Sequence, residues 1–157
     1  MYRILPVFLV FLLLCGCSKQ AVPPKKDTFT LSTTISYEGN EYKADIFASA
    51  ADVFKIEFTA PEKLKGLSFN WDTDSGFIEY KKLQYRFTAD DAPEIFSSIK
   101  NAFKLVFSNT QSAILNADGT FKVNGDGITV ELTKDGTPTL ITSGPVEIKI
   151  DAKSTEE

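Results

Sequence analysis

From Thr28 to Ala60 apolar and polar side chains alternate almost without a break, and a period of two admits little besides β-strands. Phe29, Leu31, Thr33, Ile35 and Tyr37 alternate with Thr28, Thr30, Ser32, Thr34 and Ser36, giving one largely apolar face and one hydroxyl face. Glu38-Gly39-Asn40 is a hairpin turn signal. Tyr42, Ala44, Ile46 and Ala48 then alternate with Lys43, Asp45, Phe47 and Ser49. After a turn at Ala51-Asp52, Phe54, Ile56, Phe58 and Ala60 alternate with Lys55, Glu57 and Thr59. Three consecutive antiparallel strands are expected here.

Pro61 to Gly66 interrupts the pattern with a compact connection, and Leu67, Phe69 and Trp71 resume it. Asp72 to Gly76 reads as a turn. One further strand is expected from Phe77 to about Phe87, with Lys81-Lys82 as an irregularity. The period then changes. Asp91-Ala92-Pro93-Glu94 carries the chemistry of a helix start, with Asp91 as cap and Pro93 in the first turn. Ile95, Phe96, Ile99, Ala102, Phe103, Val106 and Phe107 follow at three-to-four spacing, an apolar stripe broad enough to cover one face of a sheet. After Ser108 the glycine turns at Asn116–Gly119, Asn124–Gly127 and Lys134–Gly136 space a meander of short strands that ends at Ile150. The fold class is therefore mainly β (α+β), an antiparallel sheet covered by one main helix.

The N-terminus reads differently. Arg3 precedes an apolar run, Ile4 to Leu14, of ~11 residues where a membrane span needs roughly 20. The run ends in Leu14-Cys15-Gly16-Cys17, a lipobox: Leu14 three before the cysteine, then small residues. Residues 1–16 are expected to be a cleaved signal peptide and Cys17 the lipidated first residue of the mature chain. Residues 17–27, with Pro23-Pro24 and polar flanks, read as the lipidated N-terminus and a flexible linker. Residues 28–151 form the β-rich domain and 152–157 a polar tail. The expected location is the extracytoplasmic face of the cell membrane, held by acyl chains of the palmitate type. Two or three chains, at about 0.8 kcal/mol per buried CH₂, give a stable anchor.

Residue usage narrows the chemistry. The sequence has no His, and its two Cys are Cys15 and Cys17. The mature domain thus lacks the usual neutral-pH base, any thiol nucleophile, any Cys-ligated zinc and any disulfide. A formal net charge of −4 argues against nucleic acid as a partner. Asp72, Asp74 and Glu79 hint at a calcium loop, but the sixth position from Asp72 is Phe77 where such a loop needs Gly. Ser97, Ser98 and Lys100 form no nucleophile elbow and read as solvent-facing helix residues. Gly125 to Gly127 is followed by strand-like Ile128-Thr129-Val130, not by the helix a phosphate loop requires. No catalytic residue, metal site or cofactor is expected, and the chain reads as a non-enzyme.

Thirteen Phe against one Trp and one Met mark a thick apolar layer between sheet and cover, or the lining of a greasy groove. The segment Phe54 to Gly66 has the form φxφxφxxPxxLxG, with φ apolar. Together with a lipobox, a strand meander, a helix and a closing meander, it resembles bacterial lipoproteins of the lipoprotein carrier and receptor (LolA/LolB-like) group. A germination-associated lipoprotein of spore formers is another member of that fold group it resembles. The resemblance implies a sheet curved like a half-barrel around the helix. It also implies a concave face that binds acyl chains in the carriers and is filled by the protein's own side chains in other members. The expected groove residues are Phe54, Ile56, Phe58, Leu67, Phe69, Trp71, Phe103 and Phe107. Two functions follow: a binding module for a lipid or other apolar ligand, or a structural or regulatory envelope lipoprotein with a filled core that docks a protein partner.

Overall fold

The computed structural model describes residues 20–50, 52–108 and 113–151. The lipobox with Cys17, the tail 152–157 and Ala51 lie outside them. The described strands are β1 (Gln20–Ala21), β2 (Phe29–Tyr37), β3 (Asn40–Ala50), β4 (Val53–Ala60), β5 (Ser68–Asp72), β6 (Ser75–Tyr80), β7 (Leu83–Thr88), β8 (Ala113–Leu115), β9 (Phe121–Gly125), β10 (Ile128–Leu132), β11 (Pro138–Ser143) and β12 (Val146–Ile150). Among the described residues a single α-helix, α1, spans Glu94–Phe107, and a short 3-10 turn spans Glu62–Leu64.

All the strands belong to one curved, open antiparallel sheet in the order β1-β8-β9-β10-β11-β12-β2-β3-β4-β5-β6-β7. Two meanders, β2–β7 and β8–β12, meet at a central seam where β12 pairs with β2 from Val146↔Tyr37 to Ile150↔Thr33. In sequence, α1 connects β7 at one edge with β8 near the other, so it crosses the inner face. It packs there against both halves of the sheet, with Phe96, Ile99, Ala102 and Phe103 buried.

The alternation read from sequence sets which residues face inward. Phe29, Leu31 and Ile35 of β2, Ala44, Ile46 and Ala48 of β3, and Phe54, Ile56 and Phe58 of β4 are all buried. Thr33 shares that face, and its hydroxyl donates to the Ala44 carbonyl at 2.8 Å, so the polar atom is satisfied. The second meander adds Val130, Ile141, Val146 and Ile148, each 1% exposed or less.

Three sequence expectations are corrected. The stretch Phe77 to Phe87 is not one strand with an irregularity but two, β6 and β7. Tyr80 pairs with Leu83 across a two-residue turn in which Lys81 and Lys82 take φ of 47° and 73°. Both residues sit in the left-handed region that such turns demand and that lysine disfavours. Asp91 does not cap α1. Its carboxylate accepts from the Thr88 hydroxyl at 3.1 Å, and Pro93 occupies the cap position, its carbonyl accepting from the Phe96 amide at 2.9 Å. Finally, the segment read as a flexible linker contacts the domain from residue 20 onward. Gln20 and Ala21 pair with Ile114 and Ala113, and the Lys26 ammonium donates to Asp135 at 2.6 Å and also to the Thr137 hydroxyl. The bonds that the Asp135 carboxylate accepts from Lys26, Thr133 and Thr137 hold it well below the usual carboxylate range.

Candidate apolar binding surface

Of the eight residues expected to line a groove, six are core. Phe54, Ile56, Phe58, Phe69, Trp71 and Phe103 are each no more than 8% exposed, while Leu67 and Phe107 are half-buried at the margin. What covers them is α1. The Phe96 ring lies 4.9 Å from Phe54 in a stacked arrangement, 5.7 Å from both Phe69 and Trp71, and 5.3 Å edge-on from Phe87. One helical residue thus fills the space that four strand rings enclose. Two turns further on, Phe103 lies 6.1 Å from Phe29 and 6.4 Å from Phe54, and Phe107 meets Phe29 at 5.3 Å. Sequence periodicity assigned all these residues to the inner face and had no means of weighting Phe96 above its neighbours.

The cluster is closed at its rim by polar contacts. The Trp71 indole donates to the Thr73 carbonyl at 3.1 Å, and the Lys100 ammonium sits 3.7 Å above the Trp71 ring. Burial there lowers the Lys100 amine below its usual range. Lys100, Ser97 and Ser98 are half-buried on α1 rather than solvent-facing. Gly76 pairs with both Trp71 and Phe87, and a Cβ there would come within 2.8 Å of each ring, so the bare backbone lets the two rings close over it. The turn expected from Asp72 to Gly76, in preference to a calcium loop, is a hairpin in which Asp72 pairs with Ser75. The Thr73 hydroxyl donates to Asp72 at 3.0 Å, and the Thr73 amide donates to the Asp52 carbonyl at 2.9 Å. At the other end of the helix face, the Tyr37 hydroxyl donates to Glu94 at 3.1 Å. Desolvation, then that bond, raise the Tyr37 phenol above its ordinary value.

The inner face does not end where α1 ends. Paired residues of an antiparallel ladder share a face, so the pairs Phe69↔Ile78, Ile78↔Tyr85 and Tyr80↔Leu83 carry the inner face out to the β7 edge. Phe87 of β7 is buried under the helix, but Leu83 and Tyr85 on the same face are 76% and 64% exposed. Half-buried Ile78 and Tyr80 flank them, and the Tyr80 hydroxyl donates to the Lys63 carbonyl at 2.8 Å. The open part of the concave face is therefore an apolar strip on β6–β7, continuous with the aromatic cluster. Leu67 is the one expected groove residue near it that is not fully buried, with its amide bonded to the Leu64 carbonyl at 2.8 Å. Leu83 and Tyr85 stood in the sequence as ordinary strand alternation. Their exposure depends on which strands α1 packs against, chiefly β3 and β9 to β11, which the alternation does not encode.

Two solved structures are similar. A LolA superfamily protein from Nitrosomonas europaea aligns with a TM-score of 0.48 at 8% identity, over 83% of this chain and 86% of that one. An uncharacterized conserved protein from Thermus thermophilus aligns with a TM-score of 0.47 at 13% identity, over 78% of this chain and 75% of that one. No family model and no curated protein matches the sequence.

Proposed function

We propose that this chain is a lipid-anchored, extracytoplasmic binding module without catalytic activity, which takes a lipid or other apolar ligand on the open strip of its concave face. The observation that carries this reading is the exposure of Leu83 and Tyr85 beside the buried Phe87. Solvated apolar side chains next to a packed core are surface that a ligand gains by covering. The site lies at the mouth of the half-barrel, since Phe96 occupies its interior. Covering one Leu or Tyr side chain contributes about 1.5–3 kcal/mol, a factor of roughly 10 to 100 in affinity.

The anchor is Cys17. Cys17→Ala is expected to move the protein from the membrane fraction to the medium or supernatant, with loss of the acyl mass. A variant that stays in the membrane at unchanged mass would refute the lipobox reading. On that soluble variant, displacement of an apolar dye by palmitate reads the strip. Leu83→Glu and Tyr85→Glu are each expected to weaken binding at least tenfold with the unfolding midpoint unchanged, and equal binding by all variants would sink the assignment.

A second reading has its own observation. Among the described residues β7 pairs only with β6, so its outer backbone edge is open for a partner strand. A protein docked there would be blocked by Arg86→Pro, which removes a backbone donor, while palmitate displacement would persist.

A further inference from the structure

The edge of the sheet opposite β7 also carries apolar side chains that the core does not use. Val22 is 69% exposed, Ile114 45% and Leu115 37%, three of the six large apolar side chains exposed among the described residues. They are close together: Gln20 pairs with Ile114 and Ala21 with Ala113, and Val22 follows directly. Successive strand residues point to opposite faces, so Ile114 and Leu115 make this rim apolar on both sides. A surface that only completes the inner core has no use for Ile114, whose neighbour on β9 is Lys122.

The second observation is length. Cys17 precedes Gln20 by three residues, and three extended residues reach at most about 11 Å. The 10-residue tether expected from the sequence is thus cut to Ser18 and Lys19, because β1 already belongs to the sheet. An acyl-bearing Cys17 holds the start of β1 within that distance of the membrane. Resting on the lipoprotein reading above, we propose that the β1–β8 edge lies against the bilayer, with Val22, Ile114 and Leu115 entering the boundary between headgroups and acyl chains. Exposed Lys25, three residues after Val22, and half-buried Lys122, paired with Ile114, carry the charge that suits anionic headgroups. The sheet order then places β7, eleven strands away, at the end remote from the bilayer.

The test uses the acylated full chain in phosphatidylcholine–phosphatidylglycerol vesicles. Acylation blocks the Cys17 thiol, so Ile114→Cys, Val22→Cys and Leu83→Cys each offer one site for an environment-sensitive fluorophore. Labels at 114 and 22 are expected to be quenched by spin-labelled lipid at least twofold more than the label at 83. Equal quenching at all three positions, or none at 114 and 22, would overturn the proposal. Intact mass separates the two levels. Acylated protein without quenching at 114 removes the edge contact alone, whereas absence of the acyl mass removes the lipoprotein reading and this inference with it.

Discussion

Truncating Phe96 to Ala tests whether α1 is part of the core or a cover over a ligand space. Phe96 is 1% exposed and its ring meets those of Phe54, Phe69, Trp71 and Phe87 within 4.9–5.7 Å. A buried Phe→Ala change costs about 3–5 kcal/mol, through lost transfer energy and the void left behind. The upper part of that range applies here. The four surrounding rings stand on paired strands and cannot collapse inward, and aromatic pairs add about 0.5–1.5 kcal/mol each beyond area. Taking about 4 kcal/mol and a urea m-value of about 2 kcal/mol/M, the unfolding midpoint falls by about 2 M. Trp71, the only tryptophan, reports the transition directly. Leu83→Ala, at an exposed site, is the control and is expected to stay within about 0.5 kcal/mol. A Phe96→Ala loss below about 1 kcal/mol, accompanied by tighter palmitate binding, would refute the filled-core reasoning and make the interior of the half-barrel a binding site again.

Two more outcomes follow from the fold. Replacing Lys81-Lys82 by Asn-Gly relieves two left-handed lysines and is expected to raise stability by about 1 kcal/mol, seen as a melting temperature higher by about 3 °C; an unchanged or lower value would contradict the turn geometry. Asp135→Asn is expected to loosen the strap at residues 22–27 and speed tryptic cleavage at Lys25 and Lys26. Because the folded-state carboxyl is held below its ordinary value near 3.8, its contribution is complete above that value and is lost as pH falls below it. With the Asp135 side chain 61% exposed the effect stays within about 1 kcal/mol. The variant should therefore show a flatter acid limb than the parent between pH 4 and pH 2, and identical limbs would remove Lys26–Asp135 as the tie.

The inward and outward faces of β2 to β5 were legible because a period of two is a local property of the chain. The helix was legible for the same reason, down to the stripe Phe96, Ile99, Ala102, Phe103. What was not legible has physical causes of three kinds. The turn at Lys81-Lys82 lacks turn chemistry, since its geometry is imposed by the flanking ladder and not by the two residues. The pairing of β12 with β2, and of β1 with β8, joins residues far apart in sequence and leaves no local trace. And alternation tells which face a side chain takes but not what covers it. Phe54 and Leu83 look alike in the pattern, yet one is beneath α1 and the other is in water.

The seam between β12 and β2 also sets an order of events. Tyr37 and Val146 are neighbours in the middle of the finished sheet, yet 109 residues separate them, which at about 5–20 residues per second is roughly 5–20 s of synthesis. The first meander can close its hairpins early, but its β2 edge has no neighbour until the last strand arrives. The centre of the mature molecule is thus, for most of its making, an unprotected border. A chain interrupted before Val146 would present that border to every other copy, so premature termination is expected to yield aggregates rather than a smaller soluble domain.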